Sequence, residues 1–232
     1  MEKTNIIDFT KRLGFDYKQY CEEVVRIGDK TALRVFKGAK YRRNYERALL
    51  LMSIIQSLDV KKFLEFGTGR GFVTACALLV KPTLKISTID HKYSAQAKEL
   101  LIELGMDISN ISFIYSDSEK LLAKDIGLDF DLVFIDGGHE YDSVKNDFGL
   151  ARKCCSSGVI VFDDFRNKHS GVKKFIKMFD VPKILVNSHG WVWKNKMIAK
   201  TRDADGISDN REYKSGQVVV DINGLLKDFK YG

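Results

Sequence analysis

Between Lys61 and Thr201 short apolar runs alternate with longer segments of helical spacing. "KKFLEF" (61–66), "LKISTID" (84–90), "ISFIYS" (111–116), "FDLVFID" (130–136), "GVIVFDD" (158–164) and "KILVN" (183–187) are predicted strands. They are apolar almost throughout, as strands covered on both faces are, whereas a half-exposed strand would alternate. "FVTACALLVK" (72–81), "SAQAKELLIELG" (94–105), "SEKLLAKDI" (118–126), "YDSVKNDFGLARKC" (141–154) and "SGVKKFIKMF" (170–179) are predicted helices, the second stopped by Gly105. Strands separated in this way imply right-handed crossovers and a mainly parallel, doubly wound α/β sheet. "WVWKNKMIAKT" (191–201) follows "KILVN" after only Ser188, His189 and Gly190, which predicts an antiparallel C-terminal hairpin at the sheet edge. Upstream, "NYERALLLMSIIQSL" (44–58) is apolar on more than one helical face, so this helix should pack under other elements, with Asn44 as its N-cap. Residues 1–43 read as a helical, basic extension, and the tail 203–232 as an appendage with "QVVVDI" as a candidate strand.

In an open parallel sheet, ligands bind beyond the carboxyl ends of the strands. Five successive strands here deliver polar or glycine residues to that edge. The first is followed by Glu65, Gly67, Thr68, Gly69 and Gly71, and the second by Asp90 and His91. Asp117 and Ser118 follow the third, Asp136-Gly137-Gly138-His139 the fourth, and Asp163-Asp164 the fifth. One aspartate at a strand end is ordinarily a helix cap; five such endings together point to a ligand edge. The glycine spacing is G-x-G-x-G, and Phe72 stands where a dinucleotide loop has its third glycine, so the loop suits a nucleoside better than a pyrophosphate. Asp90 is placed to accept from two ribose hydroxyls.

Composition narrows the class. The 232 residues are 44% hydrophobic and 30% charged, as in a globular domain, and no apolar run reaches the roughly 20 residues that span a bilayer. The start "MEKTNIIDFTKRLGFDY" has no apolar signal core, so a cytoplasmic location is expected. Cys21, Cys76, Cys154 and Cys155 form no disulfide framework or metal spacing and are expected to be buried thiols. The net charge is +7, part of it in "RVFKGAKYRRNYER" (34–47), which is either a solvated basic face or a surface for phosphate, nucleic acid or an acidic substrate.

"LEFGTGRG", "STID" and "YSDSEKLL", in this order, resemble the motifs of class I S-adenosylmethionine-dependent methyltransferases over about residues 45–200. The resemblance implies a seven-stranded Rossmann-like methyltransferase fold in which residues 44–202 bind the cofactor and residues 1–43 form a candidate substrate lid. It implies further that Glu65 and the Gly67–Gly71 backbone, Thr68 included, face the methionyl part of S-adenosylmethionine. Asp90 would bind ribose, with His91 near the cofactor or simply packed, and Asp117 and Ser118 would border the adenine, with Asp136 also at the cofactor. "DLVFIDGGHEYDSVKNDF" with "GVIVFDDF" is similar to methyltransferase family 24 and to metal-dependent O-methyltransferases of sugars and catechols. By that likeness Asp136, Asp163 and Asp164 would hold a divalent cation, usually Mg²⁺. For Asp163 and Asp164, neighbours in a strand, this requires the chain to curl, and one of them capping the next segment is the even alternative.

Such a cation would lower the pKa of an acceptor hydroxyl, and His139, three residues after Asp136, is within reach as general base; the other reading of His139 is a backbone hydrogen bond at the helix start. Asp147 is expected to be a solvated helix residue, and Trp191 and Trp193 to pack. The expected acceptor is a small polar molecule, a sugar or acidic metabolite. The alternatives are RNA ribose methylation through the basic stretch and a silent cofactor-binding partner subunit. With only Pro82 and Pro182, the chain lacks the Pro-Pro motif of base N-methylation at the fourth strand. The sequence sets no oligomeric state; a dimer is compatible with it.

Overall fold

The computed structural model describes residues 1–31, 45–92, 94–166, 169–187, 191–194, 197–200 and 216–226. Strands β1 (Glu2–Asn5), β2 (Lys62–Phe66), β3 (Lys85–Ile89), β4 (Ile111–Ile114), β5 (Leu132–Ile135), β6 (Val159–Phe165), β7 (Lys183–Asn187) and β10 (Gly216–Asp221) build one sheet in the order β1-β7-β10-β6-β5-β2-β3-β4. The block β6-β5-β2-β3-β4 is parallel throughout, as the alternation of strands and helices predicts. The sheet has eight strands where seven were expected. The additional one is β1, which pairs parallel to β7 at the edge of an N-terminal extension otherwise built from α1 (Ile6–Arg12), a short 3-10 turn and α2 (Cys21–Thr31).

The tail segment is part of the sheet itself. β10 lies antiparallel between β6 and β7, and its Val218, Val219 and Val220 are buried. An antiparallel C-terminal hairpin is present, made of β8 (Trp191–Lys194) and β9 (Met197–Lys200). These are two halves of the segment expected to be a single strand, and they form a sheet of their own. The segment 118–126 is a 3-10 turn followed by α6 (Ala123–Ile126) instead of one helix. Asn44, the expected cap, lies outside the described residues.

Helices cover both faces. On β5, Leu132 and Phe134 join the core shared with α1, α2, α3 (Tyr45–Ser57) and α4 (Phe72–Val80). Val133 and Ile135 join the core on the other side, shared with α7 (Tyr141–Cys154) and α8 (Ser170–Met178). β6 divides likewise, Val159 and Val161 to one side and Ile160 and Phe162 to the other. Continuous apolarity in these strands therefore serves two interiors, each buried side chain contributing about 1.5–3 kcal/mol. α3 is buried from Ala48 to Ile55 because α1, α2 and α4 enclose it, which its many-sided apolar pattern requires. All four cysteines are buried and free.

Candidate active site

The loop after β2 is shaped by backbone sterics. Gly67, Gly69 and Gly71 have φ of +94°, +51° and +77°, the left-handed region that glycine enters without strain. At Gly67 a Cβ would overlap the Asp136 carbonyl, so glycine here lets the ends of β2 and β5 close together. At Gly69 there is open space instead. Its N–H donates to Asp90 Oδ2 at 2.9 Å, while the Lys92 N–H donates to Oδ1 at 2.6 Å. Gly71 ends the loop as the N-cap of α4 and packs against Ala97 of α5 (Ser94–Glu103).

Two cavities meet along this edge. The larger, about 350 Å³, is lined by Gly67, Asp90, His91, Asp117, Ser118, Asp136, Gly137, Gly138 and Asp147. The smaller, about 190 Å³, is lined by Arg47, Glu65, Gly67, Thr68, Gly69 and Asp136 among others, so Gly67 and Asp136 border both. Glu65 is 1% exposed and accepts from the Thr74 and Thr88 hydroxyls at 2.6 and 2.7 Å. Burial nonetheless pushes its carboxyl up to about 7. Asp147 overturns its expected place in solvent. It is 2% exposed, takes the Ser118 hydroxyl on Oδ1 at 2.5 Å, and burial raises its pKa to about 6. The spacing Val144, Asp147, Phe148, Ala151 places it on the buried stripe of α7, and that was the available signal.

The expected ligand acids are held by a residue the motif reading passed over. Arg47, on the first turn of α3, donates from Nη1 to Asp136 Oδ2 at 2.5 Å and to Asp163 Oδ2 at 2.7 Å. Asp163, 2% exposed in its side chain, also accepts on Oδ1 from Gln217 Nε2 of β10 at 2.8 Å and from the Asp164 N–H at 2.8 Å. Burial raises Asp136 to about 8, against the downward pull of Arg47. The same two acids raise the Arg47 pKa, and Arg47 Nε is buried with no hydrogen-bond partner among the described residues.

The chain does curl after Phe162, but the curl separates the two aspartates. Pairing of β10 with β6 shifts between Val218↔Phe162 and Gly216↔Phe165, which leaves an extra residue in β6, and Asp164 has φ +56°. Asp163 thus turns to Arg47, while Asp164 Oδ2 meets His139 Nε2 at 2.9 Å and its Oδ1 meets Arg166 at 2.6 Å. The hydrogen bond to Asp164 raises the His139 pKa above its usual value. The His139 ring stacks on His169 at 4.0 Å, and the cap of α7 falls on Glu140.

These residues do not fit the expected Mg²⁺. Magnesium requires free oxygen ligands in octahedral array, whereas Asp163 is filled by three donors and Asp136 shares the same guanidinium. At about 4 Å and an effective dielectric of about 20, a divalent ion and a guanidinium repel by on the order of 8 kcal/mol. A second group, His139, Asp164 and His169, has donor atoms within 4.8 Å of one another. There Arg166 Nη2 already donates to His169 Nε2 at 2.8 Å.

Residues 64–165 match the family of methyltransferase domains, methyltransferase family 24. No curated protein is similar enough in sequence to count as a match. Among solved structures, the chain is similar to the O-methyltransferase TomG of Streptomyces achromogenes, involved in tomaymycin synthesis and solved with S-adenosylmethionine. Identity is 16%, coverage 89% of this chain and 90% of that one, and the TM-score 0.58. The O-methyltransferase of Bacillus cereus, solved with S-adenosylhomocysteine, is 15% identical over 88% and 90% of the two chains, with a TM-score of 0.56. The methyltransferase PaMTH1 of Podospora anserina is 21% identical; the match covers 62% of this chain and 66% of that one, with a TM-score of 0.50. The fold is that of class I S-adenosylmethionine-dependent methyltransferases. The match to the family model runs across β2 to β6, the strands whose ends bear the glycine loop and the acids.

Proposed function

We propose that this protein transfers the methyl group of S-adenosylmethionine to an oxygen of a small, polar, hydroxylated acceptor such as a sugar or acidic metabolite. The observation that carries this reading is the cavity along the strand ends, bordered by Asp90, Asp117, Ser118 and Asp136, with the His139–Asp164 pair one residue past Gly138. In this reading Asp90 holds the ribose, Asp117 and Ser118 border the adenine, and Glu65 with the Gly67–Gly71 loop faces the methionyl end. The two relatives solved with S-adenosylmethionine or its product support that cofactor.

His139 is the base. With Nε2–H donated to Asp164, its Nδ1 carries the lone pair that takes the acceptor's proton as the oxygen attacks the methyl carbon. Asp164 fixes the ring and stabilises the imidazolium that forms. Of the basic stretch that suggested a nucleic acid, only Tyr45, Glu46 and Arg47 fall among the described residues, and Arg47 turns inward to the acids.

Tritiated methyl transfer to metabolite and RNA pools, beside calorimetry with S-adenosylhomocysteine, tests the reading. Failure to bind the product sinks it. His139→Ala should keep product affinity and lose about 10²–10⁴-fold in kcat. Because Asp164 raises the His139 pKa, the neutral base form appears only above the usual histidine range. The rate should therefore rise with pH through a limb above about 6.5, and Asp164→Asn should move that limb to lower pH.

A further inference from the structure

We propose that Arg47 is a built-in cation occupying the position a divalent metal would take, so that methyl transfer by this protein needs no metal ion. The proposal rests on the methyltransferase reading, but it is read out by metal binding, which that reading does not control.

Asp136 and Asp163 follow or end adjacent strands, β5 and β6, and both point their Oδ2 atoms at one nitrogen. Two carboxylates converging in a site where one is 2% exposed repel each other unless a proton or a positive charge stands between them. A guanidinium supplies it permanently, because arginine keeps its proton at any physiological pH. The donor comes from α3, across the layer from the acids, and its chain position is 89 residues before Asp136. Its placement is supported from both sides: Gln217 of β10 and the Asp164 N–H fix the far oxygen of Asp163 and leave the near one for Arg47.

The second group that could take an ion is closed by the same means. His139, Asp164 and His169 would suit a first-row transition metal. Arg166, however, bonds Asp164 Oδ1 at 2.6 Å and spends the His169 Nε2 lone pair at 2.8 Å. Three carboxylates, Asp136, Asp163 and Asp164, thus meet two fixed guanidinium groups. A divalent ion would have to enter beside both of these cations.

The test is Mn²⁺ binding followed by electron paramagnetic resonance, after dialysis of the full chain against EDTA. The wild type should leave the signal of free Mn²⁺ undiminished, and its methyl transfer should be unchanged by EDTA. Arg47→Ala should acquire stoichiometric Mn²⁺ binding, lost again when Asp136→Asn is added, and its residual transfer should become Mg²⁺-dependent. Arg47→Lys, which keeps the charge, should stay Mn²⁺-silent. Wild-type binding of Mn²⁺ that disappears in Asp136→Asn overturns the proposal, even if Arg47→Ala does not fold. EDTA inhibition reversed by Mg²⁺ also overturns it. Absence of product binding would sink the function and leave the Mn²⁺ titration still decisive about Arg47.

Discussion

Asp147 and Arg47 show what a single residue can hide in a linear reading. Glu65, Asp90, Asp117 and Asp136 were legible because each stands at or just after a strand end, where a parallel sheet presents its ligands. Arg47 was not, because its partners lie 89 and 116 residues away and its neighbours in sequence form a basic run. Asp147 was hidden by its type, since a helical aspartate is ordinarily solvated. Its Oδ1 is spent on Ser118, and its Oδ2 is the atom that a Cβ on Gly137 would approach to 3.0 Å, at the cavity wall. If Ser118 borders the adenine, that oxygen is the acceptor for the exocyclic amine. Asp147→Ala should then weaken S-adenosylhomocysteine binding about tenfold, the value of roughly one hydrogen bond. The hypoxanthine analogue, which lacks the amine, should bind wild type and Asp147→Ala alike; a tenfold difference with that analogue would count against the contact.

At the level of elements, the order of strands and helices from β2 to α8 could be read from the alternation of apolar runs, because both faces of the sheet need covering. What could not be read was pairing. "QVVVDI" is recognisable as a strand, but nothing local says that it inserts between β6 and β7. The bulge that turns Asp163 and Asp164 apart depends on that insertion, so the fate of the acidic pair was equally illegible. The close approach of β2 and β5 gives an element-scale prediction. Gly67→Ala would meet the Asp136 carbonyl and hold a side chain at φ +94°. It should cost about 3 kcal/mol or more in urea unfolding, with the m-value unchanged. Gly69→Ala, facing open space at φ +51°, should cost only about 1–2 kcal/mol.

Over the whole molecule, buried acids set the response of stability to pH. Burial raises Glu46 to about 8 and Glu65 to about 7, and the two are 7% and 1% exposed. A carboxyl whose pKa is higher in the folded state binds more protons there than in the unfolded chain. Stability therefore falls as pH rises from the unfolded value, about 4.3, to the folded one. His139, also raised, acts in the same sense, while the lowered Asp164 acts only below the ordinary carboxylate range. The melting temperature at constant ionic strength should drop between about pH 5.5 and 8.5, by the equivalent of roughly 3 kcal/mol for each fully shifted glutamate. Glu46→Gln should flatten the decline; a melting temperature that rises across this interval would contradict the assignment.

The position of β10 also has a consequence for biosynthesis. During synthesis β1 emerges from the ribosome long before β7 and β10. Yet among the described residues β1 bonds only to β7, and β7 is joined to the rest of the sheet only through β10, residues 216–221. The parallel block from β4 to β6 can close while translation continues. β1 must therefore wait for β10 before it is held in the sheet.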